Sequence, residues 1–220
     1  MLTAKLLKQA NSAFFGLSRS VTTAKDAMSM LGLNKVRALV IASVLEDCFS
    51  VVPGMKLEQF WRYSMNTATL ARLIARATGN DENTAFTVGL IHGIGELVMH
   101  VGMPEAMDLF DMHIEPLAIK RATAEKEHFG YCYAEVGAAL ARSWKFPKSM
   151  IQAIEFQLTP FAEGIYEPMA AILHLASWRA RAAELKLGGD HLINTYPDEV
   201  GIVLGLDPDL IMEAGDNLPA

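Results

Sequence analysis

His92 stands at the centre of Val88-Gly89-Leu90-Ile91-His92-Gly93-Ile94-Gly95-Glu96-Leu97, with Glu96 four residues on and His100 four beyond that. Spacings of four put side chains on one helix face. A His-Glu-His stripe of this kind offers donors for a divalent cation and groups for proton transfer. Gly89, Gly93 and Gly95 fall in the same stretch. Each costs a helix about 1 kcal/mol relative to alanine, so close helix contact, a kink or an approaching ligand must offset the loss. A packed core helix holding one satisfied histidine explains these residues more plainly. Glu96 beside His100 then makes an ordinary salt bridge at acidic pH.

Other constellations are weaker. Asn11-Ser12 before Phe14-Phe15-Gly16 could form a ligand-binding turn, but two aromatics beside glycine read better as a corner plugging the core. The serines lack a Gly-x-Ser-x-Gly elbow, and no Gly-x-x-x-x-Gly-Lys phosphate loop occurs. Arg72 and Arg76 share a face, with Arg62 upstream and Lys145 and Lys148 near Trp144. Basic faces of this size are ordinarily solvated surface.

The elements that position these residues read as helices throughout. Thr22–Leu31 carries apolar residues at spacings of three and four between threonine caps and Gly32. A second helix follows from Asn34 to about Asp47. Leu57–Thr78 is the longest amphipathic stretch, ending before Gly79-Asn80. Further helices are expected over 81–100, 104–113, 115–128 (a surface helix), 134–144, 148–157 and 168–186. Pro197-Asp198-Glu199 and Asp207-Pro208-Asp209 look like helix starts. The expectation is an all-α chain: one helical domain over residues 1–186, and an acidic C-terminal extension over 187–220 packed on it or following it.

Composition narrows the function classes. The 220 residues are 51% apolar and 20% charged, the balance of a folded chain. Net charge is −6, and the seven acids after Lys186, with no base among them, leave residues 1–186 at +1. That argues against a nucleic-acid-coating protein. Cys48 and Cys132 alone point to reduced structural thiols and a cytoplasmic setting. The opening residues lack a signal peptide's apolar region, and no stretch approaches the ~20 apolar residues of a membrane span, so a soluble protein is expected.

The segment His92-Gly93-Ile94-Gly95 resembles the His-Asp-Ile-Gly helix of the HD superfamily of metal-dependent phosphohydrolases. The wider chain resembles the HDOD family, the HD-related output domains of bacterial signalling proteins. Leu6–Leu17 is similar to that family's Asn-Ser-Ala-x-Phe-Gly element, with Asn11, Ser12, Phe15 and Gly16 in its motif positions. In family order follow the helix pair within Ala27–Ala42, then Phe60-Trp61-Arg62-Tyr63-Ser64 and the glycine-rich helix with Gly95. Glu127-His128-Phe129-Gly130-Tyr131, Ala134-Glu135-Val136-Gly137-Ala138, Trp144 and Pro147 complete the match, which covers residues 1–186.

The resemblance implies an HD-like helical bundle that signals through protein contacts. Carried over position by position, its metal ligands are mostly absent. Tyr63 stands for the first histidine, Gly93 for the aspartate of the pair and Ser177 for the late aspartate, so only His92 survives. Later histidines of relatives would fall at Tyr133 and near Gln157-Leu158. The reading is a non-catalytic domain with a degenerate metal site, no cofactor, and other signalling proteins or domains as partners. It has no membrane role and is compatible with a homo-oligomer. One alternative is a metal-dependent phosphohydrolase with unconventional ligands around His92. Another is a small-ligand or nucleotide receptor using His92, Tyr63, Tyr133 and Glu96. Relatives also carry one or two helices before the segment matching Met1–Leu17, so the expectation is a chain that starts late, is a deletion variant or is a piece of a longer protein, with an apolar face left for a dimer or partner.

Overall fold

The computed structural model describes Leu7, Asn11, residues 21–161, Gly164, residues 166–216 and Leu218, and among these residues the secondary structure is helical, without strands. The chain divides into two compact units, Met1–Val51 and Val52–Leu218.

In the first unit, helix α1 spans Ala24–Leu31 and α2 spans Leu33–Cys48. Thr23 caps α1 reciprocally: its hydroxyl accepts from Asp26 N at 3.0 Å while the Asp26 carboxylate accepts from Thr23 N at 3.1 Å. Gly32, at φ 81°, separates the two helices in a backbone region open to glycine. Asn11 holds the approach to α1. Its Oδ1 accepts from Val21 N at 2.6 Å, and its Nδ2 donates to the carbonyls of Val21 and Leu7, both at 2.8 Å. The motif positions Ser12, Phe15 and Gly16 lie outside the described residues.

The second unit holds α3 (Leu57–Ala77), α4 (Glu82–Ile91), α5 (Ile94–Gly102), α6 (Pro104–Asp111), α7 (Arg121–Phe129), α8 (Tyr133–Ser143), α9 (Lys148–Glu155) and α10 (Pro168–Glu184). Helix α3 packs along α4 and α10, α5 along α8, and α9 between α8 and α10. Ala68, Leu70, Ile74, Leu90, Ile172 and Leu175 fill the centre.

The glycines explain the closest of these approaches. A Cβ on Gly89 would lie 2.6 Å from Ala68 Cα, and one on Gly95 would overlap the Tyr133 carbonyl and sit 2.7 Å from Gly137 N. These positions admit hydrogen only, so the propensity lost in α4 and α5 is offset by backbone contact with α3 and α8.

The expected helix over 81–100 is broken. It ends at Ile91, and Gly93, at φ −94° and ψ 7°, caps a new helix, with Glu96 N donating to Gly93 O at 3.0 Å. Residues Glu82–Gly102 also correct the expectation that no stretch approaches membrane-span length. These 21 residues pass by length and apolarity, but 78% of the most apolar window is buried inside the protein, as a core element would be.

The expected surface helix over 115–128 is corrected too. Residues 115–120 form turns, and α7 carries the fully buried Arg121 and Glu125. Charge content misled here because the buried charges pair with each other.

Residues 187–220 include α11 (Asp190–Thr195), which the sequence reading missed, α12 (Asp198–Leu204) and α13 (Pro208–Asp216). They are tied to α10. Trp178 Nε1 donates to Thr195 Oγ1 at 3.1 Å, and Arg179 Nη2 donates to Met212 O at 2.8 Å and to Asp216 at 2.6 Å. Both cysteines are free. Cys132 is buried but Cys48 is exposed, correcting its apolar setting.

Candidate functional site

A cavity of about 1190 Å³ opens in the second unit, and Tyr63, His92, Gly93, Glu96, Tyr133 and Ser177 all line it. The sequence-predicted positions are therefore gathered around one space by four elements: α3, the α4–α5 break, the start of α8 and the middle of α10.

The break places His92. Where α4 stops, the backbone carbonyl of His92 loses its helical partner and Gln157 supplies one, with Nε2 donating to it at 3.1 Å. The side chain turns back so that Nδ1 lies 2.7 Å from Gly89 O. A carbonyl only accepts, so Nδ1 carries the hydrogen and Nε2 keeps its lone pair. His92 is 1% exposed, and burial pushes its pKa down to about 4. It is a neutral imidazole at pH 7. The Tyr63 ring meets it edge-on at 5.0 Å between centroids.

Tyr63 donates its hydroxyl to Ser177 O at 3.3 Å, and Ser177 Oγ turns away to donate to His174 O at 3.0 Å. Tyr133 is buried, which raises its phenol well above the usual range. Tyr133 is therefore not poised to ionise. His174 repeats the arrangement of His92. Its Nδ1 lies 2.7 Å from Gln157 O, and burial lowers its pKa.

Glu96 and His92 line the same cavity yet serve different partners. Arg121 Nε donates to Glu96 Oε1 at 2.7 Å and also approaches Glu125 Oε1 at 3.0 Å, while Nη1 donates to Asp111 at 2.8 Å and to Ile114 O at 3.0 Å. His100 joins through Asp111, 2.9 Å from its Nε2, and leaves Glu96 Oε2 at 4.0 Å. The expected Glu96–His100 pair is present as this long 4.0 Å contact, while Arg121 is the carboxylate's closer partner. Two buried carboxylates on one guanidinium N–H cannot both ionise cheaply. Burial, then the neighbouring Glu96, push Glu125 up to about 8, and burial raises Glu96 as well. The stripe of His92, Glu96 and His100 does not converge. Among the described residues no three His, Cys, Asp or Glu side chains form a group that could hold a metal ion.

The residue that sequence reasoning missed is Arg181. Helix α10 presents His174, Ser177, Trp178 and Arg181 to the cavity, a face spaced at three and four. Continuing that spacing from Ser177 would have reached it. Arg181 Nη2 approaches the Tyr63 hydroxyl at 3.5 Å, and its Nε is buried without a hydrogen-bond partner.

The remaining described motif positions make local contacts outside this polar network. Trp61 stacks edge-on with Phe60 at 5.0 Å, and Gly130 ends α7 in the left-handed region at φ 82°. Gly137 faces Gly95 across the α5–α8 contact. Trp144 is 41% exposed and leans on Phe146 rather than on the core. The arginines of α3 are engaged locally: Arg62 with Glu184, Arg76 with Glu82, and Arg72 over the Phe86 ring at 3.9 Å.

An all-helical bundle with a histidine at a glycine-rich helix break defines an HD-related domain. The HDOD domain family model matches residues 1–160, and the chain belongs to that family. A crystal structure from Shewanella amazonensis SB2B, called "Putative phosphohydrolase", superposes with a TM-score of 0.76 at 31% identity, covering 99% of this chain and 82% of that one. A signal transduction protein candidate from Marinobacter aquaeolei VT8 superposes with a TM-score of 0.77 at 24% identity, covering 98% of this chain and 49% of that one, which shows the shared fold. A protein of Treponema pallidum (strain Nichols) is 28% identical over 195 residues, 82% of this chain. The chain spans 36% of that relative's length.

Proposed function

We propose that this HDOD domain is a non-catalytic element of bacterial signal transduction, acting in the cytoplasm through contacts with other signalling proteins or domains, and that its HD metal site is degenerate. The observation that carries this reading is the donor set around His92. A catalytic divalent site needs several imidazoles or carboxylates converging on the ion with one position left open. The family's ligand positions hold Tyr63, Gly93 and Ser177. The tyrosine is buried with its hydroxyl on Ser177 O, the glycine offers no side chain, and the serine hydroxyl is spent on His174 O. Tyr63 itself resembles a packing residue, with its hydroxyl on a backbone carbonyl and a guanidinium beside it. Arg181 lines the same space, its charge already acts on His92, and it would repel a cation there. The residues present do not fit the metal.

The test is hydrolysis of phosphomonoester and phosphodiester substrates with Mn²⁺, Mg²⁺, Ni²⁺ or Fe²⁺ added. The proposal expects no turnover above that of His92→Ala. The name of the Shewanella relative makes phosphohydrolysis the reading to exclude, and metal-dependent turnover lost in His92→Ala would establish it instead.

A further inference from the structure

We infer that the cavity is an anion site centred on Arg181, built to take a small ligand through a phosphate or carboxylate group. The inference rests on the reading that no divalent cation occupies the same space.

A guanidinium carries five donors and stays charged at any working pH, so a buried one is ordinarily met by a carboxylate. Arg121, in the same unit, shows what that looks like, with Glu96, Glu125 and Asp111 around it. Arg179 is met by Asp216, Arg62 by Glu184. Arg181 is different. Among the described residues its polar contact is one long approach to the Tyr63 hydroxyl at 3.5 Å, and its buried Nε has no partner. Among the described residues no carboxylate forms an ion pair with it. Glu96, the acid that acts on it from a distance, is already held by Arg121. Arg181 is half-buried, and leaving its buried Nε–H without an acceptor is costly, a cost relieved when a ligand in the cavity supplies one.

The neighbours suit an oxyanion that carries hydroxyl or protonated oxygen. His92 and His174 both line the cavity, and both spend Nδ1–H on backbone carbonyls, which leaves each Nε2 as an acceptor. A bare oxyanion would be matched by the arginine, and its O–H groups by the imidazoles. The volume, about 1190 Å³, far exceeds an inorganic anion. The charged group therefore anchors a larger molecule whose apolar part lies along Phe60 and Trp178, the usual division of labour in ligand pockets.

The experiment is ³¹P line broadening of inorganic phosphate by the whole chain, in EDTA and at ionic strength fixed with chloride, with succinate and adenosine monophosphate as competitors. Saturable broadening is expected, with affinity falling at least tenfold in Arg181→Met and unchanged in Arg76→Met, an exposed arginine outside the cavity. Should Arg181→Met fail to fold, the Arg181 Nε–H resonance of the wild-type chain, assigned against Arg181→Lys, must shift along the same saturation curve. Competition by both additives supports a general oxyanion site, and competition by the nucleotide alone narrows it to phosphate esters. Absence of broadening in the wild type, or equal broadening in Arg181→Met, overturns the inference. Broadening that appears only when metal replaces EDTA overturns instead the metal-free reading on which it rests.

Discussion

Arg121 Nε and Glu96 Oε1 meet at 2.7 Å across 25 residues of chain, joining the helix after the glycine break to a helix whose sequence looks like solvated surface. Glu125 and Asp111 complete the cluster, and His100 extends it through Asp111. Because the guanidinium is buried, its worth lies less in net attraction than in the penalty for leaving the carboxylates alone.

Arg121→Met should therefore lower the unfolding free energy by about 3–5 kcal/mol, since it strands Glu96 and Glu125 in the core. Chemical denaturation read by helical circular dichroism checks this. Part of the loss should return in the double variant Arg121→Met/Glu125→Gln, which removes one of the stranded charges.

The same cluster makes stability depend on pH. Glu125, with a folded pKa raised to about 8, binds a proton in the native state that the unfolded chain has released above its ordinary carboxylate range. The native state holds more protons, so stability falls as pH rises towards 8. His92 acts in the opposite sense: its folded pKa of about 4 means that the unfolded state takes up the extra proton, and stability falls as pH drops from 6.5 towards 4. Between pH 6.5 and 8 the limb of the Glu96–Glu125 pair lies apart from that of His92. Thermal or denaturant midpoints should decline there by on the order of 1 kcal/mol per pH unit, about one proton's worth. Glu125→Gln should flatten that limb and steepen the fall below pH 6.5, where the Glu125 proton no longer offsets the one His92 leaves to the unfolded state.

Gly95 predicts a third result. Its missing Cβ is what lets α5 touch the Tyr133 carbonyl and Gly137 N. Gly95→Ala, although favourable to an isolated helix, should destabilise the domain by about 3 kcal/mol because backbone must move to admit a methyl group. Gly102→Ala, at a position where nothing lies within 4 Å, should cost little. Denaturation midpoints of the two variants compare the effects directly.

Much of this was legible in the sequence. Helical periodicity and capping residues located α1, α3, α8, α9 and α10 to within a few residues, because amphipathic spacing and turn residues act locally. The glycines around His92 announced close contact or a kink, and both occur. Two features were hidden. The break at Gly93 depends on Gln157 reaching the His92 carbonyl, and the burial of Arg121 and Glu125 depends on carboxylates 10 and 25 residues away from the arginine. Local charge counting reads such residues as surface because their partners are set only by the tertiary fold. Within the site, the motif led to Tyr63, His92, Tyr133 and Ser177, which do share a cavity. Arg181 escaped because it fills no ligand position of the family and shows its meaning only as an unpaired charge.

The central claim, that the site around His92 holds no catalytic metal, is tested most directly by elemental analysis of protein purified without chelators, beside His92→Ala. The account predicts no stoichiometric Fe, Mn, Zn or Ni in either protein. Near-stoichiometric metal in the wild type that disappears in His92→Ala would contradict it.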